Sequence, residues 1–324
     1  MRLVTYILAT GWLVGCAVIA RAHEIELPQK FDDLSLIQVS PNIFVAHGIQ
    51  ALPDRDNKAF MSNTGVVLTE AGVVIVDSGG SAEVARAILS KVQQLTQKPV
   101  IAVFNSHIHG DHWLGNAAIR EVYPKARIIA HERAIQRLKE SEANRWVEIL
   151  AGMTGKAKKA ITAVLPNEVV KGGEKLTIGG TTFNTHHTGH AHTDGDVMIE
   201  LPDNRLLFTG DIVEHGRAVS SDVPQDFDAK GQIAAIQYAL KLPVDIYVPG
   251  HGPTGDREIP EAALRFLQVL YDSVKRNYEA GLQDYEMRGK VAKDMSKFSG
   301  WANFDQLGKL ISYTFLQVER ADFK

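Results

Sequence analysis

The nine residues Asn105-Ser106-His107-Ile108-His109-Gly110-Asp111-His112-Trp113 constrain this chain more than any other stretch. They follow the apolar run Val100-Ile101-Ala102-Val103-Phe104, which reads as a buried strand. Three imidazoles and a carboxylate lie within six residues. Such side chains are donors for a borderline-soft divalent cation, which imidazole nitrogen binds at roughly 2.0–2.1 Å. Alternation along an extended segment points His107 and His109 the same way, and Asp111 and His112 then turn toward a neighbouring position. A fold that accepts this motif must hold it at a strand end, facing further donors.

Further donors recur at three later places, each just past a strand-like run. They are Thr188-Gly189-His190-Ala191-His192-Thr193-Asp194-Gly195-Asp196, then Phe208-Thr209-Gly210-Asp211, then Pro249-Gly250-His251-Gly252. Separate strand ends that each deliver a histidine or aspartate beside a glycine converge only if they build one site at one edge of the sheets. Glycine allows the sharp turns and close backbone approach this requires. His186 and His187 are adjacent, so in a strand at most one faces such a site, and a structural role is expected for both.

The organisation along the chain fits that scheme. Strands are expected at Leu36–Val39, Ile43–Ala46, Gly65–Thr69, Val73–Asp77, Pro99–Phe104 and Arg127–Ala130. They resume at Lys175–Ile178, Thr182–His186, Asp196–Leu201, Arg205–Phe208 and Asp245–Val248. Helical spacing appears in Val84, Ile88, Val92 and Leu95, then from about Leu114 and Glu132, and in Ile233, Ile236 and Leu240. Residues 144–168 read as an irregular insertion. Strand pairs followed by alternating strands and helices, occurring twice, predict an α/β protein with sheet packed on sheet and helices outside. Beyond residue 255, Pro260 opens a long helix with Leu264, Leu267, Tyr271, Val274 and Tyr278 on one face. Leu307, Leu310, Ile311, Thr314 and Val318 mark another. The expected division is a signal peptide over 1–22, a main domain over 23–255 and a C-terminal helical extension over 256–324 packed on it.

The opening residues read as an export signal. Arg2 precedes the apolar run Leu3 to Ile19, and Ala20-Arg21-Ala22 is a small-x-small cleavage site, so cleavage is expected before His23. That predicts a periplasmic or secreted protein with no transmembrane span once the signal is removed. Leu13-Val14-Gly15-Cys16 also fits a bacterial lipoprotein box, the less favoured reading, which would leave a lipid anchor on Cys16. Cys16 is the only cysteine, so the mature chain has neither a disulfide nor a thiolate ligand. A net charge of -3 and one short basic cluster, Lys156, Lys158 and Lys159, exclude a nucleic-acid footprint, which needs a concentrated positive face. The expected partner is a small molecule.

From about residue 36 to 255 these motifs resemble the metallo-β-lactamase fold hydrolases: Asp77 after Val74-Ile75-Val76, the H-x-H-x-D-H run, the later histidine, the Gly-Asp and the Gly-His. The resemblance implies a four-layer αββα sandwich. It implies two zinc ions, one held by His107, His109 and His192 and the other by Asp111, His112 and His251, with Asp211 bridging; iron or manganese would suit the same donors. His192 is preferred over His190 because His-Thr-x-Gly-Asp is the family order. Asp77 and Asp196 match positions that brace the site. The chemistry implied is hydrolysis by a metal-bridging hydroxide, with Asp111 as the catalytic residue that orients it and takes its proton. No G-x-S-x-G supports a serine hydrolase.

The bond expected to be cut is that of a small ester, thioester or amide. A β-lactam is less favoured, because antibiotic-degrading members commonly carry cysteine where this chain has Asp211 and lysine where it has Glu214. Asp211 is similar to the glyoxalase II-like thioesterases, and the export signal with the Gly-His-Ala-His-Thr-Asp-Gly-Asp segment resembles the periplasmic SoxH-type hydrolases. Substrate contacts are expected from residues 49–61, His215 and Arg217, the last as a bidentate carboxylate holder. The alternatives are an iron-dependent, dioxygenase-like oxidoreductase on the same fold and a non-catalytic maturation factor. Flavodiiron relatives typically carry a carboxylate in place of the second motif histidine, whereas His109 is intact.

Overall fold

A computed structural model describes residues 25–219 and 223–322, so the expected signal peptide and Cys16 lie outside the described residues. The first sheet runs β1 (Ile37–Ser40), β2 (Ile43–Ala46), β3 (Thr64–Leu68), β4 (Val73–Val76), β5 (Val100–Phe104), β6 (Arg127–His131) and β7 (Glu168–Val170), in that spatial order. Pairing is antiparallel through β4 and parallel from β4 to β7. The second sheet has the order β12 (Ile246–His251), β11 (Leu206–Glu214), β10 (Met198–Leu201), β9 (Thr181–His186), β8 (Lys175–Ile178), with only β11 and β12 parallel. Val45, Val74, Phe104 and Ile129 of the first sheet interlock with Phe183, Ile199, Leu206 and Val248 of the second, which is the inner core.

Helices cover both outer faces. On the first sheet, α1 (Ala82–Leu95) starts at Ser81, whose hydroxyl accepts from Val84 N at 3.3 Å. Its stripe Val84, Ile88, Leu89 and Val92 is buried against Val73, Ile75 and Val103. Each such side chain contributes on the order of 1.5–3 kcal/mol. An aspartate at Ile88 would place an unpaired charge in that layer. On the second sheet lie α6 (Ala229–Ala239) and α7 (Glu258–Glu279). Behind them pack α8 (Asp284–Asp294) and α9 (Leu307–Asp322). Phe266, Leu270 and Val274 of α7 and Leu310, Ile311 and Phe315 of α9 share one core with Leu207, Ile212, Val213 and Tyr247. The four layers are αββα, and the C-terminal helices are continuous with the outer layer on the second sheet.

Two expectations need correcting. Residues 144–154 are not irregular: α4 (Glu132–Arg137) runs through a π turn at Leu138–Glu142 into α5 (Ala143–Thr154). The apolar stripe Trp146, Ile149, Leu150 and Met153 has helical spacing, but part of it faces a cleft instead of the core, and small residues dilute it. The strand expected to end at Phe208 continues to Glu214, with every residue of β11 buried and register shifts at Gly210. Such bulges re-aim a side chain without ending the strand. None of the helices among the described residues is long and apolar enough to cross a membrane.

Candidate metal centre

Asp77 opens the site at the end of β4, where Asp77 N donates to Phe104 O at 2.8 Å and holds the ends of β4 and β5 level. The segment after β5 alternates as its sequence requires. Ile108 is fully buried with Trp113 and Leu138, and Trp113 Nε1 donates to Ile108 O at 2.9 Å, which turns His107 and His109 to the opposite side. A single helical turn, α2 (Gly110–Trp113), then presents Asp111 and His112. Ser106 O accepts from Val197 N at 2.8 Å, tying this loop to the second sheet just beyond His192. Met61, Ser62 and Asn63 clamp the far side. Asn63 Nδ2 donates to Pro249 O and Gly252 O at 2.8 Å each, and Ser62 Oγ donates to Asp111 O at 2.5 Å.

These elements bring together the seven side chains singled out from sequence. His107, His109, His192 and Asp211 form one group of candidate ligands, and Asp111, His112 and His251 another. Asp211 faces both. Its Oδ2 is 3.7 Å from His107 Nε2, 3.5 Å from His192 Nε2 and 3.3 Å from His251 Nε2, while Oδ1 is 3.2 Å from His112 Nε2. Asp111 Oδ2 stands 3.2 Å from His251 Nε2 and 3.4 Å from His112 Nε2. Two donors at roughly 2.0–2.1 Å from one cation lie about 3.3–3.4 Å apart at the tetrahedral angle. The observed separations match the edge of a coordination shell. His107 Nε2, His112 Nε2 and Asp211 Oδ1 are buried and without a hydrogen bond, which satisfies the same test.

Neighbours set which ring nitrogen is left for a cation. Asp77 Oδ2 can only accept, so His112 Nδ1, 2.8 Å away, donates to it and Nε2 keeps its lone pair. Ser106 Oγ donates to the same carboxylate at 2.8 Å and therefore accepts from His107 Nδ1 at 2.9 Å, freeing His107 Nε2. Met61 O accepts from His251 Nδ1 at 2.7 Å. His109 Nδ1 and His192 Nε2 meet at 2.9 Å, and His109 Nε2 looks outward to Asp226 Oδ2 at 3.7 Å. This tautomer-setting shell is what ligating histidines require.

The charges are strongly coupled. Burial presses His107 well below the ordinary imidazole range and takes His192 down to about 3. Burial also disfavours charge on His112, but Asp211, Asp111 and Asp77 outweigh it and hold that ring well above its ordinary value. Against burial and the Arg217 guanidinium, Asp211 and Asp111 raise His251 to about 9. Despite burial, His112 and His251 keep both carboxylates well below their usual range. The cluster thus attracts positive charge, which a cation supplies as well as protons do.

The sequence pattern of the metallo-beta-lactamase superfamily matches residues 57–251, a span that contains all seven clustered side chains. The chain belongs to the metallo-beta-lactamase superfamily. Among its relatives, a type 2 metallo-beta-lactamase from Bacillus sp. strain 170 is 24% identical over 239 residues, 73% of this chain and 83% of its own. A linear primary-alkylsulfatase from Pseudomonas sp. is 24% identical over 259 residues, 68% of this chain and 48% of its own. The solved metallo-beta-lactamase from Pontibacter korlensis has a TM-score of 0.57 at 23% identity, covering 73% of this chain and 99% of that one. The stereoselective inverting sec-alkylsulfatase from Pseudomonas sp. has a TM-score of 0.64 at 20% identity, covering 88% of this chain and 50% of that one. This chain spans about half the length of these two alkylsulfatases.

As a metallo-beta-lactamase superfamily member, the chain is a metal-dependent hydrolase. Among the described residues, the other histidines stay outside the cluster. His190 Nε2 is 2.7 Å from Asp226 O, His186 lies between Tyr238 Oη and Glu200, and His187 Nδ1 donates to Asp196 O while stacking on His131. Asp196 braces the loop by accepting from Thr193 N, and burial pushes its carboxyl up to about 7. Arg217 does not offer an open guanidinium. It is 1% exposed, Nε pairs with Glu214 at 3.2 Å and Nη1 lies 3.1 Å from His251 Nδ1, so it sits in the floor of the site and not at a substrate-facing rim. His215 contributes its backbone carbonyl to Gln50 Nε2 and its ring to Trp301. Sequence reasoning missed Asp226, which is fully buried, pairs with Arg137 Nη2 at 2.7 Å and backs His109. No periodic pattern surrounds it, so only a rule that ligating histidines need acceptors behind them pointed its way.

Proposed function

We propose that this chain is an exported, zinc-dependent hydrolase of a small ester, thioester or amide, acting as a periplasmic or secreted enzyme related to the SoxH-type and glyoxalase II-like hydrolases. His107, His109 and His192 would hold one zinc, Asp111, His112 and His251 the other, and Asp211 both. When bound, two such cations supply a water of lowered pKa and positive charge for the oxygen of the bond under attack. The observation that carries the reading is the position of Asp111. At 9% it is the most exposed of the seven, and it lines the open cleft while its Oδ2 touches His112 and His251. Asp111 therefore orients the attacking water and takes its proton. Trp146 packs on His109 and shields that side from solvent.

Two features disfavour a dedicated β-lactamase. Asp211 stands where a thiolate would, and Glu214 is buried against Arg217, so this position offers no cation to a substrate carboxylate. The alkylsulfatase relatives are consistent with an ester substrate. The test is elemental analysis of the purified protein beside a screen of nitrocefin, acyl thioesters, aryl esters and alkyl sulfates. About two zincs per chain with hydrolysis of an ester-class substrate is expected. Iron with oxygen uptake and no hydrolysis would overturn the proposal.

A further inference from the structure

The cleft above Asp111 and Asp211 encloses about 1020 Å³, its open mouth included. Its walls are largely apolar and come from three separated parts of the chain. The stripe Trp146, Ile149, Leu150 and Met153 of α5 forms one, Leu52 and Met61 a second, and Val219 with Gln306 and Leu310 the third. Leu52 and Met153 are 49% and 39% exposed, and both stand on this cleft. Single exposed apolar side chains need no explanation. Here two share one opening, and apolar lining continues from them down to the reacting carboxylates. Leu95, at the end of α1, is similarly exposed but stands off the cleft, whereas Leu52 and Met153 continue an apolar lining that a ligand would cover.

Gln306 and Leu310 of the third wall lie outside the superfamily match, which ends at residue 251. The wall's C-terminal part is tied to the main domain: Ala218 N donates to Ala302 O at 2.8 Å and Ala302 N to Gly216 O at 2.9 Å, five to seven residues past Asp211. Asn303, with its amide oxygen toward the guanidinium, accepts from Arg217 Nε at 2.9 Å and Nη2 at 3.1 Å. Leu310 is anchored in the shared core and still reaches the cleft. The C-terminal segment is therefore built into the site.

We infer that the preferred substrate carries a hydrocarbon chain beside the cleaved bond, and that residues 303–310 form the wall that sets how long that chain can be. The inference rests on the hydrolase reading above and deepens it. The primary test is binding, so that it does not depend on turnover. Dissociation constants of linear carboxylates from acetate to decanoate are measured on the metal-loaded protein by tryptophan fluorescence, with kcat/KM for the matching p-nitrophenyl esters. Affinity should rise about fourfold per added CH2 until the cleft is filled. Leu52→Ser and Met153→Ser, at exposed positions the fold tolerates, should flatten the rise. Gln306→Trp should move its end to shorter chains. A length-independent series, or one unchanged in all three variants, overturns the inference. Length-dependent binding without hydrolysis of any ester, thioester or amide would sink the hydrolase reading alone, and hydrolysis without length dependence would sink this inference alone.

Discussion

Asp77 Oδ2 lies 2.8 Å from His112 Nδ1, and the same oxygen accepts from Ser106 Oγ, which in turn accepts from His107 Nδ1. One carboxylate therefore sets the ring orientation of a histidine in each of the two ligand groups. Asp77→Asn keeps the shape but removes the charge and one acceptor. It should weaken metal binding about 10–100-fold at both ligand groups, read by competition with a chelator on folded protein. Unchanged affinity would reduce Asp77 to a loop brace.

Of the seven candidate ligands, Asp226 approaches His109, in one of the two groups, so its effect should be one-sided. Asp226→Asn is expected to lower metal affinity roughly tenfold or more at the group that contains His109 while the other group keeps its affinity. Metal-to-protein ratios along a chelator titration should show two steps where the unaltered chain shows one or two closer together. Equal loss at both sites would contradict the geometry.

For catalysis, Asp111→Asn should reduce kcat by about 10²-fold or more with the far-UV circular dichroism unchanged. Asp111 touches both His112 and His251, so metal content must be measured on the same sample. An unaltered rate at full occupancy would remove Asp111 from the mechanism.

At Gly250 the backbone of β12 packs directly on the site: a Cβ there would meet Asp211 Oδ1 at 1.8 Å. Gly250→Ala must displace Asp211, so loss of bound metal is expected together with a destabilisation of about 1–3 kcal/mol. Thermal unfolding and metal analysis of the variant check both.

His47 predicts a pH dependence separate from the ligands. Its Nε2 accepts from Thr254 N at 3.2 Å, and burial takes its pKa from 6.5 down to about 4. The unfolded chain then binds the proton that the folded chain excludes. This share of stability is present above pH 6.5 and is lost as pH falls toward 4, by at most about 1.4 kcal/mol per unit. Between pH 7.5 and 5.5 the urea midpoint of the unaltered protein should fall further than that of His47→Gln. Equal falls would assign the loss to other groups.

The chain's local chemistry declared its donors and most of its elements, because a glycine beside a histidine or aspartate at a strand end, and apolar residues at periods of two or 3.6, are visible one segment at a time. Partnership between distant segments was decided only in the folded state. Asp226 reached His109, 117 positions away, and α5 turned an apolar stripe toward a cleft where burial gives no cue. Gly210 carried Asp211 inward through a bulge instead of a turn, and the guanidinium of Arg217 was drawn down by Glu214 and Asn303 into the floor. Local periodicity reports which face of an element is apolar. What that face meets depends on how the layers stack, and that is a property of the whole chain.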